Sequence, residues 1–170
     1  MPRPPVDSRS ARKLIEKCFP QLQVSHSKQI VTGWENFVLE VNRKYVFRFP
    51  KYGETEKRLR NEIAFLPALS RHLSTQVPDY EFVWKGGRKY RGWFGGYHKI
   101  RGVTVQSLPF RKEWKRPLAS QIASFLKELH KVRFEAHRLK NMPMYSPKEW
   151  FRSITSTSEG SQNRLPFVGL

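Results

Sequence analysis

Two residues of this 170-residue chain, Arg48 and Glu62, have the types and spacing to do chemistry together. Tyr45-Val46-Phe47-Arg48-Phe49 is a β-branched and aromatic run whose alternation places Val46 and Arg48 on one face, Phe47 and Phe49 on the other. Further on, Leu59, Ile63 and Leu66 recur at helical spacing, with Glu62 beside them in the same stripe. A strand therefore offers a cation next to an apolar residue, and the following helix offers a carboxylate. Such a pair can fix a positive charge on the phosphates of a nucleotide. The same two residues can equally brace helix to sheet as a structural ion pair, and the roles are compatible. Lys51, just beyond, is a second candidate cation.

The elements that must position them follow from local pattern. Residues from Ser8 to Phe19 predict a short helix ended by Pro20, and Gln21 to Thr32 a first strand. Gly33-Trp34-Glu35-Asn36 connects into Phe37–Val41, which an Asn42-Arg43 turn joins to Tyr45–Phe49. Glu54 to Leu66 is helical, with Glu54 and Glu56 at the positive end of its dipole, and Pro67 is expected to kink or restart it. Glu81–Lys85 and Trp93–Ile100 are two more strands around Gly86-Gly87, and Lys99 to Gly102 leaves as an exposed connection. Five strands with short hairpins and one packed helix predict an α+β fold with a mainly antiparallel sheet. Helical segments then follow. Pro117 suits a first helical position, and Leu118, Ile122, Phe125, Leu126 and Leu129 form an apolar stripe. Ser146-Pro147-Lys148-Glu149 is a capping box before Trp150, Phe151 and Ile154; beyond Thr155 periodicity stops. The expected divisions are 1–20 (N-terminal helix), 21–102 (sheet lobe with its exit strand), 103–154 (linker and start of a helical lobe) and 155–170 (irregular tail).

Composition narrows the classes. One cysteine, Cys18, excludes an intramolecular disulfide and a Cys-based zinc site, suits a reducing compartment such as the cytoplasm, and sits where core packing is expected. No run of eighteen apolar residues is present to span a membrane. His26 has no partner at metal-ligand spacing, and His130 and His137 have no carboxylate in register. Thirty-two Lys+Arg against 14 Asp+Glu give a formal charge of +18, which attracts nucleotides, nucleic acids or acidic partners. Trp84, Tyr90 and Trp93 among Lys85, Arg88, Lys89 and Arg91 would suit base stacking, although a strand hairpin with a basic turn looks the same. There is no GxGxxG or Walker A sequence.

Taken in order, GWEN, VNRKYVFRFPK, RLRNEIAFLPAL, VPDY, FGGYHKIRG and IASFLKELH resemble the aminoglycoside phosphotransferase family of small-molecule kinases, over residues from about 30 to 132. The resemblance implies a kinase-like N-lobe with a hinge and then a helical C-lobe, and transfer of a nucleotide γ-phosphate to a small alcohol. It implies that Arg48 is the phosphate-contacting cation with Glu62 as its helix partner. It places Val46 over the base, Gly33, Trp34 and Asn36 in the loop over the phosphates, and Tyr97, His98, Lys99 and Ile100 in the hinge. ATP or GTP is the implied ligand, with Mg²⁺ expected only together with a C-lobe.

The catalytic half of that pattern is missing from these residues. Phosphoryl transfer needs an Asp near the acceptor hydroxyl and carboxylates for the metal. The chain has two aspartates, Asp7 and Asp79, and none of its five histidines precedes Gly-Asp. The expectation is therefore a nucleotide-binding N-lobe without a catalytic loop and inactive alone, its ragged tail suggesting an early stop or frame change. A C-lobe or a second copy would cover the Leu118–Leu129 stripe. The alternative is a basic module that engages nucleic acid or an acidic partner on the same scaffold.

Overall fold

A computed structural model describes residues 7–31, 35–103 and 111–132 of the chain. All belong to one compact unit, Met1–Arg138; the second unit, Leu139–Leu170, lies outside the described residues. The expectations at Gly33, Trp34, His137, the Ser146–Glu149 capping box with Trp150, Phe151 and Ile154, and the tail also lie outside them.

The elements run α1 (Ser8–Cys18), β1 (Ser27–Ile30), β2 (Asn36–Val41), β3 (Tyr45–Pro50), α2 (Gly53–Ser70), β4 (Tyr80–Lys85), β5 (Trp93–His98) and, after a 3-10 turn at Lys112–Trp114, α3 (Lys115–Lys131). The five strands form one antiparallel sheet in the order β1-β2-β3-β5-β4. The expected α+β architecture is what the chain adopts.

Pairing register fixes the two faces. Phe37, Leu39 and Val41 stand opposite Phe49, Phe47 and Tyr45, while Val38 and Glu40 stand opposite Arg48 and Val46. The first face carries the core, packed with Ala11, Ile15 and Phe19 from α1 and its exit. Phe49 stacks on Phe94 at 4.6 Å, and Phe19 meets Phe82 and Phe94 edge-on at 5.3 and 5.7 Å. Each such ring contributes about 1.5–3 kcal/mol by leaving water. The second face receives α2, which lies against β5, β3 and β4. Leu59 is buried there, and Glu56, also buried, accepts the Trp93 amide N–H at 3.2 Å and pairs with Arg60. Arg60 in turn covers the Trp93 ring at 4.7 Å.

Four boundaries differ from the sequence reading by two residues or more, each for a local reason. The strand expected over Gln21–Thr32 shrinks to Ser27–Ile30 because the Asn42 side chain takes over the backbone groups ahead of it. Asn42 Oδ1 accepts from the Ser25 and His26 amides at 2.9 and 3.1 Å, and Nδ2 donates to the Gln23 carbonyl at 2.7 Å. Asn42 and Arg43 both have positive φ, 54° and 55°, the geometry of the tight hairpin turn. The helix after β3 runs through Pro67 to Ser70 instead of restarting. Proline removes the bond its missing N–H would give to the Ile63 carbonyl and crowds that carbonyl, a cost offset by what lies beyond it. Leu69 is buried beyond it, and Ser70 Oγ donates to the Pro67 carbonyl at 3.1 Å. β5 stops at His98 and not Ile100, because its partner β3 begins at Tyr45, the residue opposite His98. Pro117 is the third residue of α3, with the 3-10 turn leading in; it still lies in the first turn, where helix N–H groups lack partners.

Candidate functional site

Arg48 sits mid-strand in β3, between Val38 on β2 and Gly95 on β5, and projects onto the α2 face. There it pairs with Glu62: Nη1 donates to Oε2, and Nη2 reaches Oε1 at 3.4 Å. A third group joins them. Arg48 Nη1 donates to Tyr80 Oη at 2.9 Å, and the Tyr80 hydroxyl donates to Glu62 Oε2 at 2.9 Å. The Arg48 side chain keeps 22% of its surface exposed and that of Glu62 32%, so the cluster is half-buried but reachable.

Two backbone features bring Tyr80 to this face. In β4, Tyr80 pairs with Tyr97 and Phe82 with Gly96, a register shift that sets two residues against one. Tyr80 and Phe82 consequently point to opposite faces, which regular alternation forbids. Phe82 enters the core and Tyr80 turns toward Arg48. The Tyr80 ring then lies across β5 where a side chain would otherwise stand: a Cβ on Gly95 would meet Tyr80 Cδ1 at 2.6 Å. Tyr97 packs edge-on against the same ring at 5.3 Å.

The electrostatics are those of a fixed cation. Burial opposes the Arg48 charge, but Tyr80 and Glu62 outweigh it and its pKa rises. Burial pushes the Tyr80 phenol well above its usual range, against the pull of Arg48 and with Glu62 adding to the rise. Burial also raises Tyr97. Both phenols are thus neutral at ordinary pH, and Tyr80 acts as a donor to the carboxylate. Of the five N–H groups of a guanidinium, Nε–H and one Nη2–H of Arg48 hold no hydrogen bond among the described residues. These two donors lie side by side and are unused by the fold among the described residues.

The other sequence candidates divide. Val46, buried, stands two residues from Arg48 on the same face, with Tyr97 opposite it on β5. Asn36 opens β2 on that face too; its Oδ1 is buried with no hydrogen-bond partner among the described residues. His98 belongs to the other face, its ring 4.7 Å from that of Tyr45 and Nε2 3.0 Å from Glu81 Oε2. Lys99 gives its amide N–H to the Lys44 carbonyl at 2.8 Å and its ammonium to Glu40. The Lys99 hydrogen bond holds the Glu40 carboxyl below its ordinary range. Ile100 is exposed at the exit of β5. Lys51 lies beyond the end of β3, its amide N–H bonded to the Glu35 carbonyl at 2.9 Å.

Sequence reasoning did not find Tyr80 as part of the site. It closes the VPDY string, but the register shift that turns it inward has no sequence signal. A cleft of about 600 Å³ also touches Tyr80, with Leu73, Val77, Asp79, His98 and Ile100 in its wall. It includes neither Arg48 nor Glu62, so the open edge of Arg48 and not this cleft defines the candidate site. Trp84 and Tyr90 pack on the core, with Trp84 Nε1 donating to the Tyr90 carbonyl at 2.9 Å, and Arg60 covers Trp93. The aromatic rings expected to stack bases are engaged within the fold.

The model of the phosphotransferase enzyme family matches residues 26–165. The fold is similar to the GDP and kanamycin complex of an APH(2") type IIIa enzyme (26% identity, TM-score 0.72, covering 88% of this chain and 51% of that one). It is similar to the GDP complex of wild-type aminoglycoside 2'-phosphotransferase-IIIa (24%, TM-score 0.75, 91% and 52%). It is also similar to the apoenzyme of the macrolide 2'-phosphotransferase MphH from Brachybacterium faecium (18%, TM-score 0.62, 91% and 54%). The chain spans about half the length of these solved structures. No curated protein matches it significantly. With a family match over most of its length and the five-stranded sheet and packed helix of a kinase-like N-lobe, this chain belongs to the phosphotransferase enzyme family.

Proposed function

We propose that this chain is the nucleotide-holding half of a small-molecule O-phosphotransferase of aminoglycoside type, taking GTP or ATP. The observation that carries the reading is the Arg48 guanidinium, held on one side by Glu62 and Tyr80 and open on the other. Phosphate oxygens suit that open edge because a planar fork of donors matches them bidentately. Val46 would lie over the base, and backbone groups between Tyr97 and Ile100 would meet its edge. The Lys99 N–H, committed to Lys44, is not one of them. Asn36, on the same face as Arg48, would stand at the phosphate end, with Gly33 and Trp34 before it. Two solved relatives at 25–26% identity carry GDP, one of them with kanamycin, which supports nucleotide as the ligand class.

Transfer of the γ-phosphoryl group needs more than these residues supply. Asp7 caps α1 by accepting the Ser10 N–H at 2.7 Å, and Asp79 lies in the wall of the cleft that does not include Arg48. Among the described residues no three His, Cys, Asp or Glu side chains gather at one point. A second lobe would supply the proton-accepting and metal-binding carboxylates. The α3 stripe is where it would dock: none of α3 is fully buried, and Ile122 and Leu126 are 50% and 41% exposed. Uncovered, that stripe would drive self-association, seen as a concentration-dependent sedimentation coefficient that Ile122→Lys removes.

The test of the main reading is calorimetric titration of GTP and ATP, with Mg²⁺, into the wild-type chain and Arg48→Ala. Weaker binding by the variant is expected. Equal affinities remove Arg48 from the site, and no binding by wild type refutes the reading. Phosphotransfer to kanamycin by the chain alone is expected to be undetectable.

A further inference from the structure

We infer that Tyr80 is a positioning residue of this site, holding the Arg48 guanidinium open toward an anion. The role depends on Arg48 being an anion-holding group, as proposed above. The geometry points to it through a competition. Glu62 is the nearest anion to Arg48, and a carboxylate beside a guanidinium tends to take both prongs of the fork. A guanidinium offers two such forks, Nη1–Nη2 and Nε–Nη2, and a Glu62 carboxylate that swung onto the second would have to be displaced by a phosphate. Here the pairing is lopsided: Oε2 is close to Nη1 while Oε1 stands 3.4 Å from Nη2.

Tyr80 accounts for the asymmetry. Its hydroxyl accepts from Nη1 and donates to Oε2, both at 2.9 Å, so one oxygen bridges the same two atoms that form the tight ion-pair contact. The donated bond draws charge from Oε2 and holds the carboxylate on the Nη1 side. Both Nη1 hydrogens are then used, and the anion-accessible edge is Nε and Nη2. The phenol can do this because burial keeps it protonated. Its placement is built into the fold at some cost to regularity, by the register shift after Tyr80 and the bare Cα of Gly95 beneath the ring.

Tyr80→Phe keeps the ring and removes the bridge. Two measurements on the full chain read the effect. Nitrogen-15 NMR of the Arg48 guanidinium, without ligand, is expected to show distinct Nη1 and Nη2 signals in wild type that converge in Tyr80→Phe. Calorimetry with GTP, inorganic tripolyphosphate and guanosine is expected to show about a fivefold weaker affinity of Tyr80→Phe for the two phosphate ligands, the factor one net hydrogen bond supplies. Guanosine binding should be unchanged, which separates the role from general loosening of the lobe. Arg48→Ala sets the background of non-specific anion binding to a chain of charge +18. Unchanged guanidinium signals, unchanged tripolyphosphate affinity above that background, or an equal loss for guanosine would each overturn the role of Tyr80. Wild type that binds tripolyphosphate, more weakly after Tyr80→Phe, but not GTP would refute the nucleotide reading and leave the role of Tyr80 standing. Wild type that binds neither ligand above background would overturn both.

Discussion

Replacing Arg48 and Glu62 singly and together should show that the pair is worth more than a surface ion pair and less than a buried one. With side chains 22% and 32% exposed, the two charges lie between those environments. Exposed pairs couple by about 0.2–1 kcal/mol, while breaking a fully buried pair costs about 3–5 kcal/mol. Arg48→Met leaves the Glu62 carboxylate with Tyr80 Oη alone, and Glu62→Gln leaves the guanidinium facing a neutral amide. Each single variant should therefore lose about 2 kcal/mol, a value midway between those limits. The double variant removes both charges and should lose little more than either alone, giving a coupling energy near 2 kcal/mol. Urea unfolding at neutral pH, followed by tryptophan fluorescence, supplies the four midpoints of the cycle. Repeating it in 1 M salt separates the cases, because a half-buried pair keeps most of its coupling where an exposed one loses it. A coupling below about 0.5 kcal/mol, or one that vanishes in salt, would refute the idea that this contact fixes α2 to β3.

Three further outcomes follow from other parts of the fold. Asn42→Gly keeps the positive φ but removes the bonds to Ser25, His26 and Gln23, so it should destabilise by about 1–2 kcal/mol in urea unfolding. Asn42→Ala should cost about 1 kcal/mol more, because alanine resists the left-handed turn; equal losses would mean the turn geometry carries no strain. Gly96→Ala should destabilise by about 1–3 kcal/mol or more by overpacking, since its methyl would meet Phe47 Cε1 at 2.5 Å in the core, and a thermal midpoint equal to wild type would contradict the close approach. Glu40 has its folded pKa lowered by Lys99, so its contribution is present above the ordinary Glu range near 4.5 and is lost as pH falls through the lower folded value. The stability gap between wild type and Glu40→Gln should therefore narrow on acidification below pH 4.5, and a gap that widens would reverse the sign of that argument.

Much of this was legible in the residues because period-two and period-3.6 patterns coincide with what the fold buries. Val46 and Arg48 alternate against Phe47 and Phe49 in sequence, and the structure puts the second pair in the core and the first on the α2 face. Glu62 falls in the stripe of Leu59, so the helix that buries Leu59 must also present Glu62 to the sheet. What escaped depends on contacts distant in sequence. The backbone ahead of Ser27 reads as strand until Asn42 engages it from the next turn. Pro67 reads as a break until burial of Leu69 carries the helix past it. Tyr80 is placed by an offset in β4 pairing, a property of two strands together and not of either sequence alone.

Gly95 and Gly96 have a mechanical consequence. The ring of Phe47 presses on the sheet at Gly96 from the core side, and the ring of Tyr80 presses at Gly95 from the other. Along these two residues the wall between the aromatic core and the Arg48 cluster is a single thickness of main chain, with no side chain to cushion it. A shift of Phe47 would therefore reach the Tyr80 ring through the main chain of Gly96 and Gly95 alone. The Arg48 cluster is in this sense backed directly by the aromatic core, and α1, packed on the reverse side of the sheet, belongs to its mounting.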